Sequence, residues 1–68
     1  MYYVLKSKDD VRYIGVDHSS GGYPYVTGLI ASAKFFRKDY DAKDWLEVIS
    51  KDFSGFQVCR VDITPITE

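Results

Sequence analysis

Cysteine is almost missing from this chain: Cys59 stands alone among 68 residues, so no intramolecular disulfide can form. Secreted domains of this size usually depend on several such bridges, so a reducing compartment is expected, with the cytoplasm as the default. Histidine is also single, at His18. With one histidine, one cysteine and scattered carboxylates, none of the usual metal-ligand spacings occurs, and no metal or other cofactor is expected. Long apolar runs are lacking too, since no stretch approaches the roughly 18 residues that cross a bilayer. The short charged start shows no signal-peptide pattern. Net charge is nearly absent: nine basic residues against ten acidic ones leave −1. No global field therefore draws the chain to nucleic acid or to a membrane, and any such affinity must come from a local patch.

What is present is apolar and aromatic, at 46% and 16% of the residues, which is the composition of a folded globule. The length allows one domain, 1–68, because a unit this small buries only about 60% of its unfolded surface. A core of that size rarely supplies more than roughly 3–5 kcal/mol, so a homodimer that buries further apolar surface is an expected supplement. No repeat, low-complexity tract or linker interrupts the chain.

The pattern along the chain predicts an α+β fold: a small antiparallel sheet of three to four strands, one or two helices on one face, and the order ββ(β)ααβ. Residues 2–6 and 11–16 are rich in aromatic and β-branched residues and flank a polar turn, so they predict a hairpin. Alternation places Tyr3 and Leu5 on one face of the first strand, and Arg12, Ile14 and Val16 on one face of the second, with Ile14 and Val16 towards the core. After the turn signal at residues 17–22, Pro24 limits residues 23–26 to an edge strand. Thr27 is a candidate cap for a helix over 28–38, with Ile30, Ala33 and Phe36 or Arg37 on one side. Asp39 is a candidate N-cap for a second helix over 40–51, where Ala42, Trp45, Leu46 and Ile49 follow i, i+3, i+4, i+7 spacing. Residues 56–64 predict a last strand with Cys59, Val61 and Ile63 on one face, ended by Pro65.

Catalytic chemistry finds little support. Asp17, His18 and Ser19 are the residue types of a nucleophilic triad, but three neighbours in one loop read as a solvated turn. Ser19 to Gly22 offers backbone N–H groups without the lysine and following helix of a phosphate loop. Such a site would need a concave pocket around residues 17–25. Asp9, Asp10, Asp39 and Asp41 fit a turn and a helix start. Cys59, on an apolar strand face, reads as a buried, unreactive thiol. The chain is not expected to be an enzyme.

Binding finds more. Tyr2, Tyr3, Tyr13, Tyr23, Tyr25 and Tyr40 are too many for so small a core, and tyrosine is enriched at protein interfaces. Tyr2, Tyr13, Tyr23 and Tyr25 are the candidate protein-binding residues. Cross-strand aromatic pairing is the structural use of the same residues. The alternative is single-stranded nucleic-acid binding by Arg12, Lys34, Arg37 and Lys38, beside aromatic rings that can stack on bases.

The runs Met1-Tyr2-Tyr3-Val4-Leu5-Lys6, Arg12-Tyr13-Ile14-Gly15-Val16-Asp17, Tyr23-Pro24-Tyr25, Ala33-Lys34-Phe35-Phe36, Trp45-Leu46 and Val58-Cys59-Arg60-Val61 together resemble small early or accessory proteins of tailed bacteriophages. The resemblance covers almost the whole chain and consists mainly of packing positions. It implies a context in which a small protein modulates or inhibits a host protein or defence system by stoichiometric binding, in the host cytoplasm. It carries no catalytic residue.

Overall fold

The structure is a computed structural model and describes residues 1–61. Four strands form one antiparallel sheet: β1 (Tyr2–Ser7), β2 (Tyr13–Asp17), β3 (Tyr23–Thr27) and β4 (Phe56–Val61). Their spatial order is β3-β2-β1-β4, which places β1 inside the sheet and Pro24 on an outer strand, where its missing N–H costs the ladder least. One α-helix, α1 (Asp39–Ile49), lies across β1 and β4. Among the described residues the expected α+β architecture is therefore present with one α-helix and four strands, in the order ββ, β, α, β.

Ile14 is fully enclosed, and it shares a cluster with Leu5, Phe36, Ala42, Ile49 and Phe56, against which Tyr3, Trp45, Leu46, Phe53 and Val58 pack. Burying each of the larger aliphatic side chains contributes about 1.5–3 kcal/mol. The helix face predicted from Ala42, Trp45, Leu46 and Ile49 is the face that enters this cluster. Val16 lies on the same sheet face as Ile14 but is only half-buried, because α1 is packed on the other half of the sheet.

The predicted helix over 28–38 does not form. Thr27 Oγ1 accepts from Leu29 N at 3.1 Å, closing a local turn, and a single 3-10 turn follows at Ile30–Ser32. Residues 34–36 then run extended into a gap in the sheet. β1 and β2 pair at Lys6 and Tyr13, where Ser7 N donates to Arg12 O at 2.8 Å, and then diverge. Lys34 N donates to Ile14 O at 3.0 Å, while Tyr3 and Phe36 exchange both main-chain hydrogen bonds at 2.8 Å. The wedge thus takes up backbone groups that the opened hairpin would leave unpaired, and this outweighs a weak helical spacing. Alternation within it sends Phe36 into the core and Phe35 to the opposite face.

Two further expectations are corrected. Asp39 is the first residue of α1 and not its cap: Lys38 holds the N-cap position, without a side-chain cap bond, and Asp39 pairs with Lys43 at 3.5 Å. In β4 Cys59 and Val61 share one face, as expected, but Phe56 and Val58 meet the core, so that face is the one turned away from α1, and Cys59 is half-buried there and not enclosed. The strand is apolar on both alternations, and only its register with β1, Leu5 opposite Val58, decides which set turns inward. The predicted extension of that strand through Ile63 to Pro65 lies outside the described residues.

Candidate protein-binding face

The register of the sheet settles which side chains share a surface. Directly opposed residues of an antiparallel ladder project to one face, as do residues two apart on a strand. Lys6 opposes Tyr13, Tyr25 opposes Gly15, and Tyr23 opposes Asp17. Tyr2, Tyr13, Tyr23 and Tyr25 consequently stand together on the face turned away from α1, whereas Tyr3 packs on the core. All four tyrosines singled out from the sequence are brought to one side.

Their environments differ. Tyr2 and Tyr13 are half-buried, and Tyr2 meets Phe35 edge-on with ring centroids 6.0 Å apart. Tyr25 leans over Gly15, whose position has no room for a side chain: a Cβ there would lie 2.4 Å from Ser32 O and 3.0 Å from the Tyr25 ring. The turn at Ile30–Ser32 therefore crosses this face, directly above β2, and Gly15 is the residue that lets it pass. Tyr23 is 70% exposed, and Leu29 and Ile30 beside the crossing are exposed as well. Sequence reasoning missed the crossing turn and Phe35 as part of this surface, because it had placed residues 28–38 in a helix.

The candidate nucleic-acid residues are placed less favourably. Arg12 Nε is 2.8 Å from Asp10 Oδ1 in the β1–β2 turn. Lys34 Nζ lies 5.3 Å from the Phe36 ring centroid, on the side of α1, and Lys38 Nζ lies 5.7 Å from that of Tyr40. Arg37 is exposed. Three of these four cations thus have a partner within the chain, and Lys34 stands on the sheet face opposite the tyrosines.

The guanidinium of Arg12, through its hydrogen bond, holds the exposed Asp10 carboxyl below its ordinary value. A lowered carboxyl pKa means that the interaction is fully present above about pH 4 and is lost as pH falls through the folded-state value. Arg12→Ala is expected to return Asp10 towards the usual carboxylate range in an NMR titration, while leaving the melting temperature at neutral pH almost unchanged. A large drop in melting temperature would show the pair to be structural.

The loop at residues 17–22 forms a 3-10 turn, His18–Ser20, closed by Gly22 N on Asp17 O at 2.9 Å. Gly21 and Gly22 have φ of 83° and 86°, a region that favours glycine, which is the reason for the pair. Ser19 donates through both its N and its Oγ to Asp17 Oδ1, at 3.0 and 2.6 Å. The serine hydroxyl is thus directed to the carboxylate and not to His18, as in a capped turn. An open depression does occur on the outer side of α1, lined by Asp44, Glu47, Val48 and Lys51, away from this loop. Cys59 is a half-buried free thiol on the tyrosine side of the sheet.

Among the described residues, no group of three or more His, Cys, Asp or Glu is placed to hold a metal ion, and no helix is long and apolar enough to cross a membrane. Comparison of the chain with models of protein families, with curated proteins and with solved structures finds no match.

Proposed function

We propose that this chain is a small protein-binding module without chemistry of its own, acting by stoichiometric occupation of a partner through the tyrosine face of its sheet. The observation that carries the reading is the register of the sheet, which collects Tyr2, Tyr13, Tyr23 and Tyr25 on the face that α1 leaves open. Such rings offer large contact area at low entropic cost and concentrate binding energy where they cluster. The phage-like character of the sequence makes a host protein, in the host cytoplasm, the expected partner, with modulation or inhibition of that protein as the outcome.

Tagged protein captured from bacterial lysate, with and without nuclease, tests this. A stoichiometric protein partner is expected to survive nuclease, and replacing Tyr2, Tyr13 and Tyr25 together by serine is expected to weaken its capture at least about tenfold, with the circular dichroism spectrum retained. The single substitutions serve if the triple variant unfolds. Undiminished capture by the folded variants would overturn the reading. Partners lost on nuclease treatment would do so too, and would move attention to Arg12, Lys34, Arg37 and Lys38.

A further inference from the structure

We propose that the tyrosine face takes an acidic segment of its partner protein, with a Glu or Asp carboxylate held on Lys6 between Tyr13 and Gln57. The inference rests on the reading that this face binds protein, and it names the chemistry of the contact. The registers align one residue from each strand: Gln57 opposes Lys6, Lys6 opposes Tyr13, and Tyr13 opposes Thr27. The four side chains therefore form one row straight across the face. With strands about 4.8 Å apart, the row is roughly 14 Å long and its members are immediate neighbours.

Every member of the row can donate a hydrogen bond, and one is a cation. Lys6 and Tyr13 are half-buried and Gln57 is exposed. None of these three side chains has a hydrogen bond or ion pair among the described residues, where no polar side-chain atom is buried without a partner. The ammonium, the phenol and the amide consequently all reach solvent. A half-buried lysine has already given up part of its hydration, and a carboxylate arriving there forms charge-assisted hydrogen bonds, the stronger class.

Charge selects the occupant. Residues 6–13 carry three cations against two carboxylates, and one of the carboxylates, Asp10, is held by Arg12 at 2.8 Å. Lys8, whose N–H donates to Gly55 O at 2.8 Å and continues the ladder, is a second exposed cation at this end of the sheet. At the other end, four residues along β2, Asp17 opposes Tyr23, and its carboxylate accepts from Ser19 N and Oγ. The face is positive towards the β1–β2 turn and negative towards the β2–β3 turn, about 13 Å away. That polarity orients a protein segment whose acid meets Lys6 and which turns a neutral or basic residue towards Asp17. A nucleic-acid strand, charged at every nucleotide, would bring a phosphate against Asp17, and the face offers no track of cations for its backbone.

Titration of the isotope-labelled full chain with the peptide N-acetyl-Leu-Glu-Leu-amide, followed by NMR, is the test. Saturable shifts are expected at Lys6, Tyr13 and Gln57, with a dissociation constant in the millimolar range. The glutamine analogue of the peptide, which removes only the charge, and Lys6→Gln are each expected to weaken binding at least about tenfold. Lys6→Arg keeps the cation, and Lys51→Gln removes the same charge from a position beside α1; both should bind within about threefold of the wild type. The comparison of the two peptides on the wild-type chain does not depend on the folding of any variant. Absence of saturable shifts, equal binding of the glutamine analogue, or undiminished binding by folded Lys6→Gln would overturn the inference. Tighter binding of oligothymidylate than of the acidic peptide at this row would overturn it in favour of a phosphate backbone. The two readings fail separately: a partner captured through the tyrosines but indifferent to Lys6→Gln removes only the acidic contact, and a peptide held at Lys6 by a chain that captures no partner removes only the larger reading.

Discussion

Gly15→Ala is expected to cost the fold about 3 kcal/mol, the upper part of the range for forcing extra volume into a packed interior. The new methyl group would fall 2.4 Å from Ser32 O, a main-chain atom, and 3.0 Å from the Tyr25 ring. The ring can rotate away, but the carbonyl cannot easily follow. Ala33 N is bonded to Ile30 O and Lys34 N to Ile14 O, each at 3.0 Å, so the chain on the C-terminal side of Ser32 is tied both to the turn and to β2. Since a core of this size rarely supplies more than roughly 3–5 kcal/mol, such a loss lowers the melting temperature by more than about 10 °C or leaves the variant largely unfolded. Gly28→Ala is the matched control, since a Cβ there meets nothing within 4 Å, and it should melt within a few degrees of the wild type. Equal melting of the two variants would mean that the turn does not cross β2 in solution.

Phe36→Ala should be as damaging, at about 3–5 kcal/mol for removing a buried phenylalanine. Two separate losses combine. The ring fills the core beside Trp45, with centroids 5.7 Å apart, and its backbone forms the paired hydrogen bonds with Tyr3 that hold the wedge between β1 and β2. Without the ring the wedge loses its anchor, and the hairpin gap is left to water. Trp45 is the only tryptophan, so its fluorescence in a denaturant titration reports the change directly. Phe35→Ala separates side from side: that ring lies on the tyrosine face against Tyr2, and its removal should cost far less. If Phe35→Ala proved the more destabilising, the alternation in the wedge would be reversed.

These two positions also show where the chain is easy to read and where it is not. The strands around Leu5 and Ile14, the edge role of the Pro24 strand and the apolar stripe of α1 follow from local pattern, because each is set by periodicity or by one residue with a restricted backbone. The gathering of Tyr2, Tyr13, Tyr23 and Tyr25 was legible as four candidates but not as one surface, since that depends on which strands pair and in what register. The wedge was illegible. Ile30, Ala33 and Phe36 fit a helical spacing as well as they fit a turn followed by an extended segment, and what decides between them is an opening between β1 and β2, distant in sequence. Gly15 reads as an ordinary strand glycine until the crossing above it is known. Cys59 reads as buried because its strand face is apolar, but β4 carries apolar residues on both alternations, and its partner strand decides which set turns inward.

The placement of β1 at the interior of the sheet has a consequence for synthesis. Its ladder with β4 joins Tyr2 to Val61, 59 positions apart, so one side of β1 must wait for β4 to be made. At about 5–20 residues per second, that interval is roughly 3–12 s. Throughout it, Leu5 and Ile14 have no Phe56 to close over them, and β1 presents an unpaired edge to every neighbouring nascent chain. The paired tyrosine strands β2 and β3, separated by a five-residue loop, can zip together early and shield part of that surface. A ribosome pausing before residue 56 would prolong the exposed interval, whereas a pause after β3 has emerged would leave one hairpin already closed.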